Sequence, residues 1–290
     1  MSTQNTLKTK TKVPTEEILP KPSDIGALAN RINRETRSLH NVVDKMLTLR
    51  LTYALKDAKI YRQGLACFYF VFAAIEKSLY SRLDVGDEWS LLLRSIWREE
   101  IARTEKFRKD LVFFYDGEKE FQPKLQEEIE FVEHIQLVTS NKPYLLLAYM
   151  HVMYLALFAG GRMMRSSIAK ATGLFPKKDS MTYEDVIKSG VNAFTFDVPD
   201  EDILRVEYKR EYELLTRNNL TEEQKLEIIE ESKYIFEQNA KCVASIERYN
   251  RQRIVLKWSY RLFKKGYYTA IVLLFALIIF YVRKIASAFI

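Results

Sequence analysis

One of the three histidines in the chain is spaced from a carboxylate in a way that suits a metal ligand. His40 and Asp44 are four residues apart in a stretch whose apolar residues recur every three or four positions, so both should lie on one face of a helix. A carboxylate one turn away can accept the Nδ1 proton of the imidazole, which fixes the tautomer and leaves Nε2 free to bind a metal. A histidine with a purely structural role fits the same pattern, and the spacing alone does not separate the two.

Two adjacent glycines interrupt an apolar segment that is otherwise a good helix. Gly160 and Gly161 lie in the middle of a helix predicted to begin at Pro143 and to end near residue 172. Two glycines inside a helix cost roughly 2 kcal/mol relative to alanine. They permit a kink and allow a flat group to approach the backbone closely, but tight packing between helices would favour the same residues. The apolar run before the pair also has the composition of a membrane span, although His151 lies within it.

Several classes of enzyme have no support in the sequence. It contains no HExxH, P-loop, GxGxxG, GxSxG or CxxC pattern. Its two cysteines, Cys67 and Cys242, have no spacing typical of metal ligands, and their small number suits a reducing compartment. The classes without support are therefore the classical hydrolases and the nucleotide-binding enzymes.

The net charge of +7 belongs to the C-terminal end of the chain. No acidic residue follows Glu247, whereas nine of the 45 Lys and Arg residues do. The remainder of the chain is almost neutral, with 36 basic and 38 acidic residues. This distribution favours a contact with anionic lipid and argues against nucleic acid as a partner.

The C-terminal end has the pattern of a membrane anchor. Residues 266–282 carry no charge and are bracketed by lysine and arginine, and a helix of this length spans roughly 25 Å, enough for a thin bilayer. The segment 251–265, in which six residues are basic, suits a juxtamembrane helix, and a solvated linker fits it equally well. We predict a transmembrane tail anchor over 266–282 with a short lumenal tail at 283–290; a buried core helix is the alternative for 266–282.

The rest of the chain predicts an all-α fold. Residues 1–22 have few apolar groups and are predicted to form a disordered arm. Residues 23–250 are predicted to form one helical domain, because apolar residues recur at helical spacing and glycine and proline are scarce. The helices are predicted to begin after an N-cap at Ser23-Asp24 and then to cover about 57–82, 88–114, 124–138, 143–172, 200–216 and 221–250. A capping box formed by Thr221 and Gln224 is predicted to open the last of them.

An ordered set of short motifs in residues 24–250 resembles the haem oxygenase family. No single motif is specific, but their order and spacing match, and the opening from Gly26 to Asn33 looks most like the fungal branch. The matching positions are Arg31 to His40, Asp44, Phe68-Tyr69, Ile75-Glu76, Glu99 to Gly117, Gly160-Gly161, Phe194 to Phe196, Arg205, Tyr208, Lys209, Phe236 and Asn239.

Two positions depart from the family pattern. The family's distal motif carries an aspartate shortly before the glycine pair, but Leu157, Phe158 and Ala159 precede the pair here. The family's lysine seven residues before the histidine is Asn33 in this chain, and Arg34 or Arg37 could replace it. The first departure concerns the water network that the aspartate organises in the family.

The resemblance implies that haem is both substrate and prosthetic group, held between the first helix and the helix of the glycine pair. His40 would be the axial iron ligand supported by Asp44, with the basic residues and an aromatic ring holding the rest of the haem. O₂ would be consumed, NADPH would supply electrons through a partner cytochrome reductase, and the products would be biliverdin, CO and Fe²⁺. The implied haem-holding residues are Arg37, Arg205, Lys209 and Phe236; the implied catalytic residues are Gly160, Gly161 and Arg162, the last as an organiser of water.

Two alternatives stay open at this point. The chain could be a haem-binding sensor or chaperone that has lost turnover, for which the missing distal aspartate argues, or a tail-anchored adaptor that binds no ligand. For the enzyme, the anchor predicts the endoplasmic reticulum membrane, or the nuclear envelope continuous with it, with the helical domain in the cytosol.

Overall fold

The computed structural model describes residues 19–117, 121, 125–171, 173–256 and 258–286. Across these ranges the secondary structure is helical and contains no β-strand, which confirms the predicted all-α class. The chain divides into two compact units, residues 1–243 and 244–290. The predicted arm at 1–22 lies almost wholly outside the described residues, as does the end of the predicted lumenal tail.

The first unit begins with two helices that are nearly continuous. Helix α1 covers Leu28–Glu35 and α2 covers Arg37–Ala54, with only Thr36 between them. The Thr36 hydroxyl donates a hydrogen bond of 2.8 Å to the carbonyl of Ile32, four residues earlier, and so maintains helical geometry across the break.

The predicted N-cap at Ser23-Asp24 is wrong, because α1 begins four residues after Asp24. The Asp24 carboxylate instead accepts a bond from the amide of Gly26 and pairs with Arg217 at 2.7 Å. The Asp24 side chain, which local spacing predicted to cap the helix, therefore forms a tertiary ion pair instead.

Helix α3, Ala58–Leu83, is the most buried of the helices described so far and is capped by the carboxylate of Asp57. It is followed by α4, Glu88–Ile96, and α5, Thr104–Tyr115. The single helix predicted over 88–114 is therefore wrong. Its break has a clear cause: the buried Glu76 carboxylate of α3 accepts hydrogen bonds from the backbone amides of Arg103 and Thr104 and so caps α5 from another helix.

The next helical stretch is the apolar one. After α6, Gln126–Asn141, it comprises α7, Leu146–Tyr149, a π-helical turn at Met150–Tyr154 and α8, Leu155–Ala169. Among the residues the structure describes, Pro143–Ala169 is the helical segment long and apolar enough to cross a membrane, but 67% of its most apolar stretch is buried inside the protein. This burial is that of a core helix, so a membrane span is not needed to explain its composition.

The first unit continues with α9, Tyr183–Ser189, which was not predicted, and α10, Glu201–Asn219. Helix α11, Glu222–Tyr249, begins in the first unit and ends in the second. The predicted capping box at its start is confirmed: the Thr221 hydroxyl accepts from the Gln224 amide, and the Gln224 side chain accepts from the Thr221 amide.

The second unit contains the end of α11, α12, Arg251–Leu256, and α13, Trp258–Ala286. Helix α13 runs without a break through the predicted anchor and exposes large apolar side chains, among them Val272, Leu273, Leu274, Phe275 and Leu277. The structure contains no bilayer, so a membrane span at 266–282 stays a prediction.

Candidate functional site

His40 projects from α2 with its imidazole exposed. The ring lies edge-on to the half-buried ring of Phe236 on α11, with ring centres 5.9 Å apart. Neither His40 nor Asp44 makes a hydrogen bond or an ion pair within the described part of the chain, so the predicted support of His40 by Asp44 is absent from this structure. The imidazole instead contacts an aromatic ring, and the residue as a whole is exposed.

The two glycines of α8 have different surroundings. A Cβ added to Gly161 would lie 3.4 Å from the carbonyl oxygen of Phe194, so this glycine packs against the segment that precedes α10. A Cβ added to Gly160 would meet no atom within 4 Å. Packing inside the protein therefore accounts for Gly161 but gives no reason for Gly160. The exposed Ala156 and Ala159 lie one turn and one residue before Gly160, which gives α8 an open strip of small residues.

The helix does not break at the glycine pair. Helix α8 continues through both glycines, and the irregular backbone lies earlier, in the π-helical turn. Such a turn frees carbonyl groups from the α-helical pattern. Two tyrosines of α10 satisfy them: the Tyr208 hydroxyl donates to the Met150 carbonyl at 2.8 Å, and the Tyr212 hydroxyl donates to the Leu147 carbonyl at 3.0 Å.

The residues before the glycine pair make this part of the site apolar. Leu157, at the position of the family's aspartate, is 9% exposed. Phe158 stacks on Phe196, with ring centres 4.5 Å apart and planes 7° from parallel. No carboxylate is supplied by these positions of α8, so an ionisable group cannot organise water from here.

A buried polar cluster fixes the segment against which Gly161 packs. The guanidinium of Arg103, fully buried, donates to the carbonyls of Ala193 and Thr195 and lies 4.2 Å from the centre of the Phe196 ring. Burial lowers the pKa of Arg103 to about 10, which leaves the group charged at neutral pH. Together these contacts set the position of the backbone that approaches α8.

Asp110 anchors the same segment from α5. Its carboxylate accepts hydrogen bonds from the backbone amides of Asn192 and Ala193, at 2.9 and 2.8 Å, and from the Asn192 side chain. Burial raises the pKa of Asp110 to about 7, despite these donors. Both Asp110 and Arg103 lie in the stretch 99–117 that resembled the family, and the structure gives them a positioning role.

The basic residues of α10 differ in their partners. Arg205 pairs with Asp202 at 3.0 Å. Lys209, one turn further along, is half-buried and makes no hydrogen bond or ion pair with any residue that the structure describes. Burial lowers the pKa of Lys209, and the positive charge of Arg205 lowers it further. A half-buried lysine without a counter-ion is suited to an anionic ligand.

The predicted pocket role of Arg162 is not supported. Its side chain is 55% exposed and pairs with Glu201 at 3.3 Å and with Asp202 at 2.9 Å, both at the start of α10. Arg37 is exposed on α2 and has no ion pair among the described residues, so it is available to an anionic group but is not held in place.

One buried contact near Lys209 was not predicted from the sequence. His151, in the π-helical turn and 4% exposed, shares a hydrogen bond of 3.0 Å with the Oδ1 atom of Asn33 on α1. Burial lowers the pKa of His151 to about 4, with the positive charge of Lys209 as a second cause. The one available signal was that His151 is an ionisable residue inside an apolar run.

Comparison with known proteins identifies the family of the chain. A family model described as Heme oxygenase matches residues 26–245. The chain is 37% identical over 262 residues to Heme-binding protein HMX1 of Saccharomyces cerevisiae, covering 84% of this chain and 83% of that protein. It is 24% identical over 224 residues to Heme oxygenase 2 of Synechocystis, covering 76% and 83%.

The fold is shared with solved structures. Heme oxygenase-2 from Synechocystis in complex with heme and NO has a TM-score of 0.65 and 23% identity over 79% of this chain and 88% of that one. Heme oxygenase from Leptospira interrogans has a TM-score of 0.62 and 23% identity over 75% and 98%. With the family model and the yeast relative, these matches show that the chain is a fungal-type member of the haem oxygenase family.

Proposed function

We propose that this protein binds haem and cleaves it oxidatively to biliverdin, CO and Fe²⁺. The observation that carries the proposal is Gly160: a Cβ there would meet no atom of the described residues within 4 Å, yet a glycine occupies this position inside α8 at a cost in helix stability. A flat ligand lying on the strip formed with Ala156 and Ala159 would explain the glycine, because such a ligand needs close approach to the helix backbone. The accessible imidazole of His40 and the unpaired Lys209 supply the two other groups that haem requires, an iron ligand and a cation for its carboxylates.

The chain's own residues divide the work as follows. His40 would bind the haem iron through its imidazole. Gly160 would leave room at α8 for the haem and for a small molecule beside it, because it carries no side chain. Lys209 and Arg205 orient the ring by its carboxylates, and the exchange of Asp202 for a haem carboxylate would release Arg205 from its present pair. When bound, haem supplies the iron that activates O₂ and is itself the molecule that is cleaved.

Proton delivery cannot follow the family pattern through a carboxylate at position 157. Leu157 has no ionisable group, and Arg162 is held by Glu201 and Asp202. An arginine is in any case a donor that does not give up its proton at neutral pH. We propose that water held by backbone groups of α8 carries protons to the site.

We further propose that the protein is anchored by residues 266–282 in the endoplasmic reticulum membrane, or in the nuclear envelope, with its helical unit in the cytosol. The support is the uncharged segment within α13, its flanking cations and its exposed apolar side chains. The chain has no nicotinamide or flavin motif, so electrons from NADPH must come through a partner reductase, and a shared membrane would bring the two together.

A second function is favoured by one observation. Leucine at the position of the distal carboxylate, together with the name of the yeast relative, Heme-binding protein, fits a haem sensor or chaperone with little turnover. The two functions separate when haemin is added to the purified full chain, followed by reductase, NADPH and O₂. The enzyme gives a Soret band that decays; a sensor gives a band that persists; an adaptor without a ligand gives no band.

A further inference from the structure

The donor and the acceptor of the hydrogen bond between Asn33 and His151 can be assigned. His151 is neutral at physiological pH, so only one of its ring nitrogens carries a proton. Its Nε2 atom faces the Oδ1 atom of Asn33 at 3.0 Å, whereas its buried Nδ1 atom has no partner among the described residues. A proton on Nδ1 would be a buried donor without an acceptor, which folded proteins seldom contain. The proton therefore lies on Nε2, and His151 donates to Asn33.

Because Asn33 accepts this hydrogen bond through Oδ1, its Nδ2 group is left for another partner. With Oδ1 occupied by His151, the amide turns its Nδ2 group, which carries two N–H donors, away from the ring. Asn33 is exposed, so these donors are accessible. Because α1 and α2 are nearly continuous and seven residues are close to two helical turns, Asn33 lies on the same face as His40.

Helix α10 packs beside His151: the Tyr208 hydroxyl binds the carbonyl of Met150, and the Tyr212 ring centre lies 5.4 Å from that of His151. Lys209 follows Tyr208 in the chain, its positive charge helps to lower the pKa of the imidazole, and Arg205 lies one turn away on α10. An amide on α1 and an unpaired cation on α10 are therefore both neighbours of one buried histidine. All of these groups are donors, so the ligand they suit is an anion with several acceptor oxygens, such as a carboxylate.

We propose that His151 is a positioning residue that turns the amide of Asn33 outward, so that Asn33 donates a hydrogen bond to a haem carboxylate beside Lys209. The proposal rests on the proposed function, since it requires haem as the ligand. It assigns to a neutral amide the place where the family resemblance led us to expect a lysine, and it makes Arg34 and Arg37 unnecessary as replacements. Arg34 is indeed turned toward its neighbour Glu35 at 3.3 Å.

The test compares haemin with haemin dimethyl ester, in which both carboxylates are masked. The full chain and its variants are titrated with each compound, and dissociation rates are measured with a haem scavenger. Asn33→Ala and His151→Phe should each weaken haemin binding roughly tenfold, the range expected for a lost hydrogen bond to a charged group, and should leave ester binding unchanged. Asn141→Ala, an exposed asparagine on α6, is the matched control and should change neither.

Two further variants test positioning rather than contact. His151→Gln keeps an amide donor close to the place of Nε2 and should retain most of the haemin affinity that His151→Phe loses. The double variant Asn33→Ala with His151→Phe should be no weaker than Asn33→Ala alone, because both changes remove the same bond.

Three results would overturn the inference while leaving the proposed function intact: native haemin affinity in Asn33→Ala, equal losses for haemin and its ester, or additive losses in the double variant. If the unmodified chain binds no haemin, it is the proposed function that fails. Should His151→Phe not fold, Asn33→Ala and His151→Gln still decide between these outcomes.

Discussion

Replacing Gly160 by alanine should make the protein more stable and a poorer binder of haem. The glycine lies inside α8, where alanine is favoured by about 1 kcal/mol. The new methyl group would meet no protein atom within 4 Å, so no steric cost offsets that gain in the haem-free protein. We expect the free energy of unfolding to rise by about 1 kcal/mol, which corresponds to roughly 2–4 °C in Tm for a unit of this size.

The same methyl group would occupy the open side of α8, against which we place the haem. Forcing an extra methyl group into a close-packed contact costs about 1–3 kcal/mol, which corresponds to roughly 5- to 150-fold in haem affinity. Denaturant unfolding of the haem-free chain measures the first effect, and a Soret titration measures the second.

Gly64 supplies a matched control for this change. It also lies inside a helix, α3, and a Cβ there would also meet nothing within 4 Å. Gly64→Ala should therefore give the same gain in stability with native haem affinity. The reasoning is refuted if Gly160→Ala binds haem as tightly as Gly64→Ala does, because the open side of α8 would then not be the surface that haem covers.

Four further predictions follow from the site and the anchor. His40→Ala should retain its helical circular dichroism, because the ring is exposed, but should lose the iron–imidazole absorption spectrum, which added imidazole should restore. Lys209→Met should raise the stability of the haem-free chain, since it removes a half-buried unpaired charge, and should weaken haemin binding roughly tenfold; a fall in stability would contradict this. His151 takes up a proton near pH 6.5 in the unfolded chain but only near pH 4 in the folded chain, because burial lowers its pKa. The free energy of unfolding should therefore fall by about 3 kcal/mol as the pH drops from 6.5 to 4. His151→Gln should abolish this part of the pH dependence. Deleting residues 266–290 should move the protein from the membrane fraction to the soluble fraction; retention after a high-salt wash would show that another segment holds it.

Local pattern was sufficient where an element depends on its own residues. The capping box at Thr221 and Gln224 is a short-range feature, and helices α3, α10 and α11 begin close to where spacing placed them. The break between α4 and α5 could not be predicted in this way. It is made by Glu76, which lies 27 residues before Arg103 in the chain.

The same limit applies to the candidate site. The ordered motifs led to His40, Gly160 and the basic residues of α10, but spacing within one helix could not show what faces each side chain. Asp44 makes no hydrogen bond or ion pair with His40 in the described structure, although one turn separates them. Asn33 and His151 are 118 residues apart, and only the packing of α1 against the π-helical turn brings them together.

The central claim is that haem is cleaved, and release of CO tests it most directly. The full chain loaded with haemin is supplied with a cytochrome reductase, NADPH and O₂ in the presence of catalase, and CO and bilin are measured against the haem that disappears. We predict one CO and one biliverdin for each haem consumed. Loss of haem without CO, or an unchanged Soret band with no bilin, would contradict the account and leave haem binding without cleavage as the function of this fold.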